Sequence, residues 1–252
     1  MDNLRWAFPA LDEEARQRIA VGAYRSLALA ALEAVTSDLI PDEALEHAVS
    51  VVDWKGLDHL LVSRKPVLIA SAHLGSWELF AEVMARKGYV FSAVVRPLAG
   101  AFNEWVVNNR KSAGVELILQ RGALRRMLSA LERGRAVVQL IDQVLPAASG
   151  VFVEFFGRLA STTPAIAMAA RVSRAPVYVV AAVREKQGLR MLVEGPVPMR
   201  HTDDRDDDVR ENMASLTSLV ERLIRQYPEQ WLWLHRRWKV TPADAQPGAR
   251  VR

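Results

Sequence analysis

Val67-Leu68-Ile69-Ala70-Ser71-Ala72-His73-Leu74-Gly75-Ser76-Trp77-Glu78 is the stretch on which the reading of the fold turns. Val67 to Ala70 form an uninterrupted apolar run of the kind found in buried strands, and Trp77-Glu78-Leu79-Phe80 opens a helix-like run. Between them, Gly75 permits unusual backbone angles and Ser76 is suited to cap a helix. The stretch therefore predicts strand, turn and helix, with His73 at the carboxyl end of the strand. His73 and Glu78 are five residues apart. On one helix that spacing separates side chains by about 140°, and on one strand it puts them on opposite faces, so the two can cooperate only across such a turn.

Working outward, strand-like and helix-like runs alternate from Pro66 onward. Strands are expected over Val67–Ala72, Phe91–Val95, Val115–Leu119, Ala136–Ile141, Val177–Val183 and Arg190–Val193. Helices are expected over Ser76–Arg86, Phe102–Ser112, Ala123–Arg133 and Pro164–Ser173, with a long polar one near Asp208–Gln226. Such alternation argues for an α/β fold in which a central, mostly parallel sheet is layered with helices. Ahead of it, residues 11 to 35 have helical periodicity and shorter helices are expected around 41 to 48 and 54 to 63, so the front section reads as wholly helical. With 252 residues, half of them apolar, the chain can bury a sizeable core without a second domain. The expected organisation is a single domain over 1–252: a helical section 1–65, an α/β catalytic core 66–240 and a frayed tail 241–252.

Composition narrows the chemistry. Cysteine is absent, which excludes disulfides, thiolate metal sites and a cysteine nucleophile. The N-terminus lacks a basic stretch leading into an apolar core, and no span of ~18 uncharged apolar residues occurs, the nearest, from Ser26, being stopped by Glu33, so neither a secretory signal nor a membrane span is expected. Residues 86 to 135 hold ten Lys or Arg against three acids, a net of +7 in a chain whose total is +4. Such a block suits anionic lipid, an acidic carrier protein or nucleic acid, or else forms ordinary solvated helix faces. No nucleic-acid recognition motif accompanies it.

A histidine and a carboxylate at this spacing suit acyl transfer to a hydroxyl. Near its free pKa of about 6.5 an imidazole is substantially neutral at cytoplasmic pH, and a carboxylate on its other nitrogen fixes the tautomer and stabilises the imidazolium. Glu78 is positioned for that role. The pattern alone is weak, since His201 and Asp206 also match it inside His201-Thr202-Asp203-Asp204-Arg205-Asp206-Asp207-Asp208, a charge run that reads as a solvated loop. His73 differs by its place at a strand's carboxyl end, where open α/β sheets gather ligands. There is no G-x-S-x-G elbow and no H-E-x-x-H, so neither a serine nucleophile nor a metal site is expected.

His73-Leu74-Gly75-Ser76-Trp77-Glu78 resembles the H-[FL]-G-[NS]-W-E signature of the lipid A late acyltransferases, the bacterial lauroyl and myristoyl transferases, and their lysophospholipid-acyltransferase-like relatives. Further blocks follow in the family's order. They are Arg96-Pro97-Leu98, Asn109-Arg110-Lys111 with Gly114, Asp142-Gln143, Gly150-Val151-Phe152-Val153 with Phe155-Phe156-Gly157-Arg158, Ser161-Thr162-Thr163-Pro164, and Trp231 to Trp238. Asn3-Leu4 with Ala7-Phe8-Pro9 resembles the family's N-terminal segment, so the likeness covers nearly the whole chain. Members usually carry a membrane helix ahead of that segment, so the expectation is either a peripheral protein or one whose anchor is missing from this chain.

The resemblance implies a glycerol-3-phosphate/lysophospholipid acyltransferase-like fold and an O-acyltransferase. It would move a long acyl chain from acyl carrier protein or coenzyme A to a membrane lipid at the cytoplasmic face of the bacterial inner membrane, with no cofactor. A lipid A precursor is the acceptor it favours; a lysophospholipid, a mannosylated phosphoinositide or an aminolipid is the alternative, and a catalytically silent lipid-binding protein is the rival class. It places catalysis on His73 and Glu78, and substrate binding on Arg110, Asp142, Arg96, Ser161 and Thr162. Arg110 suits a phosphate or an oxyanion, Asp142 could orient Arg110 or the histidine, and the two could instead form a structural ion pair. Arg96 serves phosphate contact or packing, and Ser161-Thr162-Thr163-Pro164 either offers helix amides to a phosphate or simply caps a helix. Trp231, Trp233 and Trp238, with Arg236, Arg237 and Lys239, suit either a peripheral contact with anionic membrane or closure of the core.

Overall fold

The computed structural model describes residues 1–44, 49–51, 54–96, 114–186 and 188–245. The strands are β1 (Val49–Val51), β2 (Leu68–Ser71), β3 (Phe91–Val95), β4 (Glu116–Leu119), β5 (Ala136–Leu140), β6 (Val151–Phe155), β7 (Arg158–Thr162), β8 (Val177–Glu185) and β9 (Gly188–Glu194). The helices are α1 (Asp2–Ala7), α2 (Glu13–Thr36), α3 (Lys55–Val62), α4 (Trp77–Arg86), α5 (Ala123–Glu132), α6 (Ala165–Ser173) and α7 (Arg205–Gln226). Seven strands form one sheet in the order β1-β9-β8-β2-β5-β3-β4, in which β8, β2, β5, β3 and β4 run parallel. Among the described residues the β8–β9 pairing alone is antiparallel in that sheet, and β6 and β7 form a separate hairpin. The expected helix over Phe102–Ser112 lies outside the described residues, and β1 places a short strand in the front section that reads from its sequence as wholly helical.

In-register parallel strands share their faces, so the sheet sorts its side chains into two clusters. Leu68, Ala70, Val137, Val177 and Val179 pack with Met127 and Ala130 of α5, Ile166 and Ala170 of α6, and Leu216 and Val220 of α7. Ile69, Phe91, Tyr178, Val180 and Met191 pack with Leu57 and Leu61 of α3 and Met84 of α4. The alanines of α6 bring that helix close to the first face, which is closely filled.

The polar residues of α2 explain where this helix sits. Asp12 caps it by accepting from the Ala15 N–H at 2.7 Å. By length and composition alone α2 is long and apolar enough to cross a membrane. Its inner side is nonetheless tied to the sheet, because Glu33 accepts from Arg184 Nε of β8 at 2.9 Å and Ser26 Oγ accepts from Arg184 Nη1 at 2.9 Å. Ser76, expected to cap α4, stands at the N-cap position with its hydroxyl donated to Glu33 instead, so the cap makes no side-chain bond to the helix backbone.

The β6–β7 hairpin is not among the strands expected from the sequence, where its residues stand out only as a motif. It closes on Phe156-Gly157 with φ of 53° and 71°, the primed type of turn that matches strand twist. Positive φ is costly for phenylalanine. Here the ring is held edge-on by Phe155, Trp233 and Trp238, and the Phe156 N–H donates to Glu221 at 2.6 Å.

Gly75 has no substitute in the turn between β2 and α4. Its φ is 67°, its N–H donates to the Gln230 carbonyl at 3.0 Å, and a Cβ there would lie 2.0 Å from the Ala182 carbonyl oxygen. Gly88, with a φ of 83°, has open space around it. Gly75→Ala should therefore cost at least about 3 kcal/mol in urea unfolding, and Gly88→Ala only about 1 kcal/mol; equal costs would contradict the close approach.

Candidate active site

β2 and β5 are parallel neighbours in which Ser71 pairs with Leu140. Two residues further along each strand, the same register sets His73 opposite Asp142. Asp142 Oδ1 accepts from His73 Nδ1 at 2.9 Å, and Oδ2 accepts from the His73 backbone N–H at 2.9 Å and from Trp231 Nε1 at 2.8 Å. The carboxylate is 4% exposed. Burial pushes its pKa up, but the His73 charge and these three hydrogen bonds outweigh burial and hold it down to about 2. An ionised Asp142 can only accept, so in the neutral imidazole Nδ1 carries the proton and Nε2 presents its lone pair. The Gln143 side-chain nitrogen lies 3.2 Å from that Nε2, and the Trp77 ring packs edge-on against the imidazole at 5.2 Å between centroids.

His73 and Gln143 line a cavity of about 690 Å3. Its walls are otherwise mainly apolar, with Ile69, Phe91, Leu117, Val138 and Met191 from the sheet, Phe80 and Met84 from α4, and Ala30 and Ala34 from α2. Glu78 and Arg96 line the same cavity. Glu78 Oε1 accepts from Trp77 Nε1 at 3.1 Å. Arg96 follows the carboxyl end of β3 and is exposed.

The structure thus brings His73, Glu78 and Arg96 to one cavity, with Asp142 buried behind His73, and the carboxylate on His73 Nδ1 is that of Asp142, the place sequence reasoning gives to Glu78. Arg110 lies outside the described residues. Ser161 and Thr162 take a different place from the one expected. Both belong to β7, both are fully buried, and they receive the guanidinium of Arg237: Nη1 donates to the Ser161 carbonyl at 2.6 Å and Nη2 to the Thr162 hydroxyl. They hold the tail, and neither lines the cavity. The next helix, α6, has Pro164 at its N-cap with no side-chain cap bond.

Trp231, Trp233 and Trp238 are each no more than 6% exposed, so they close the core. Arg236 and Lys239 are exposed and Arg237 is buried. Burial lowers the Arg237 pKa to about 10, which still leaves it cationic at neutral pH. Three arginines of the basic block are tied within the fold, Arg86 to Glu82 and Asp42, and Arg133 and Arg135 to Glu116. The second histidine–acid match dissolves into an exposed His201 and an exposed Asp206 in the first turn of α7, where acids favour the positive helix end. Among the described residues, no group of three or more His, Cys, Asp or Glu is arranged to hold a metal.

Sequence reasoning misses three contacts: the Gln143 amide on His73, the Trp231 indole on Asp142, and His235, whose Nε2 accepts from the Val144 N–H at 2.9 Å. Accepting that bond requires a neutral His235, and burial lowers its pKa, as do the charges of Arg237, His73 and Arg96 against the opposing pull of Asp142. The signals in the chain for these residues are Asp142-Gln143 following a strand and the Trp231 to Trp238 block, which holds Trp231 and His235.

A mostly parallel α/β sheet with an Asp–His pair at its carboxyl edge, beside a largely apolar cavity, has the layout of an α/β enzyme site. The chain matches the family of bacterial lipid A biosynthesis acyltransferases over residues 1–240 and belongs to it, and it is an acyltransferase. It is 27% identical over 243 residues to the lipid A biosynthesis palmitoleoyltransferase of Escherichia coli (strain K12), covering 95% of this chain and 78% of that protein. It is 26% identical over 245 residues to the lauroyltransferase of the same organism, again covering 95% and 78%. With the myristoyltransferase it shares 24% identity over 201 residues, 78% of this chain and 62% of that protein.

Asp142→Asn keeps the shape and removes the charge, so it should lower acyl transfer at least about 100-fold. Because folding depresses this carboxyl, its stabilising contribution of roughly 2 kcal/mol is present above the ordinary carboxyl pKa and lost as the pH falls through the folded value. The stability gap between wild type and Asp142→Asn in urea titrations should narrow from pH 3.8 to about pH 2; a gap independent of pH would contradict an ionised, paired Asp142.

Proposed function

We propose that this enzyme transfers a long acyl chain from a thioester of acyl carrier protein, or of coenzyme A, to a hydroxyl of a lipid A precursor, with His73 as general base. The observation that carries this is His73, its Nδ1 held by Asp142 so that the neutral ring has its lone pair on Nε2, on the wall of a largely apolar cavity. The acceptor O–H gives its proton to Nε2 while its oxygen attacks the thioester carbonyl. The tetrahedral intermediate collapses, the carbon–sulfur bond breaks, and the imidazolium returns the proton to the departing thiolate. No enzyme nucleophile is needed, and no acyl-enzyme forms. The Asp142 carboxylate stabilises the imidazolium in between. Glu78, on the cavity wall, orients the acceptor, and Arg96 and Arg110 meet phosphate.

The acceptor class is supported by the family and by the relatives' names. We place the protein at the cytoplasmic face of the inner membrane in peripheral contact with the lipid. In support, α2 walls the cavity with Ala30 and Ala34 while its outer side exposes Val21, Tyr24, Leu29, Leu32 and Val35.

The test is mass spectrometry of products after incubation with mixed acyl thioesters and a panel of a lipid A precursor, lysophospholipids and glycolipids in anionic vesicles, with His73→Ala in parallel. A mass gain on the lipid A precursor, lost in His73→Ala, is the expected result, and Leu32→Glu with Val35→Glu should weaken vesicle sedimentation. A gain on another lipid would move the acceptor assignment. No gain from folded, vesicle-bound protein would instead favour a silent lipid-binding role.

A further inference from the structure

Gln143 occupies the reactive side of the base. Its amide nitrogen lies 3.2 Å from His73 Nε2. Since Nδ1 holds the ring proton, the amide is the donor and the Nε2 lone pair the acceptor. A lone pair engaged in this way cannot take a proton from a substrate, so the acceptor hydroxyl must displace the amide before it can react. The displaced amide then stands beside the attacking oxygen with both its N–H groups available.

The backbone around Gln143 cannot follow it. Asp142 is anchored by three hydrogen bonds, the Val144 N–H is held by His235 at 2.9 Å, and the Leu145 N–H by the Ser161 carbonyl at 3.4 Å. The side chain itself lines the cavity and is only partly buried. A fixed backbone with a side chain free to swing about its own bonds is a donor already aimed at the reacting centre.

We propose that Gln143 is a catalytic residue with two positions: in the resting enzyme its amide covers the lone pair of His73, and with substrates bound it donates to the oxyanion of the tetrahedral intermediate. This rests on His73 acting as the base. The intermediate's negative oxygen derives from the thioester carbonyl and accepts the amide N–H; no proton leaves Gln143, and the amide returns to Nε2 when products depart.

Among the described residues, the charged and titratable groups around His73 are Asp142 beyond β5, Glu78 on α4, Arg96 beyond β3, and His235 and Arg237 in the tail. None changes in the test variants. Gln143→Ala should lower kcat about 100- to 1,000-fold with KM within about threefold. Because the amide bond favours the neutral imidazole, its loss should also shift the acid limb of the kcat/KM profile to higher pH. Gln143→Glu, whose carboxylate favours the imidazolium, should shift that limb further by about one pH unit or more. Unfolding midpoints measured alongside separate these effects from loss of fold. A kcat for Gln143→Ala within about threefold of wild type, or a lowered kcat with an unmoved acid limb in both variants, would overturn the proposal. Transfer that survives in His73→Ala would instead overturn the underlying base assignment, whatever the Gln143 variants do.

Discussion

Three hydrogen-bond donors converge on the carboxylate of Asp142, two from His73 and one from the indole of Trp231. An ionised group this deeply buried is tolerable only when its lone pairs are met, and leaving it with any donor missing would cost on the order of several kcal/mol. The requirement joins the end of β2, the end of β5 and the C-terminal tail. The tail in turn is held by Arg237 against β7 and by Asn3, whose amide donates to the carbonyls of Trp233 and His235 at 2.8 and 2.7 Å. Residues near both ends of the chain thus hold the surroundings of one imidazole.

The two faces of the sheet divide the work. On one, the small residues of α6 and the apolar sides of α5 and α7 fill the space against β2, β5 and β8. On the other, α2, α3 and α4 stand over the strands and leave the cavity. The Glu33–Arg184 pair and the Ser76 hydroxyl fasten α2 and the turn that carries His73 to the same strand. A partly buried ion pair of this kind adds little net stability, but breaking it leaves a charge stranded.

Local pattern makes much of this legible. Phe91–Val95 stands as a strand over the residues its apolar run predicts, and the turn at Gly75 follows from a residue type that only one backbone geometry requires. The partner of His73 is not legible in the same way. Glu78 is near in sequence, whereas Asp142 is 69 residues away and becomes adjacent only through the pairing of β2 with β5, which no local pattern encodes. Ser161 and Thr162 carry the letters of a helix start yet belong to a hairpin, because Arg237 supplies the long-range partner that β7 is built around. Glu33 reads as an interruption of an apolar helix and is its anchor to β8.

Asp142 fixes the neutral His73 ring with its proton on Nδ1 and a lone pair on Nε2. Nitrogen NMR of the histidine ring at neutral pH, with His73→Ala used to assign the signal, reads that state directly. The account predicts that His73 is protonated at Nδ1, with a hydrogen-bonded Nδ1–H that disappears in Asp142→Asn. A His73 protonated at Nε2, or one unaffected by Asp142→Asn, would contradict it.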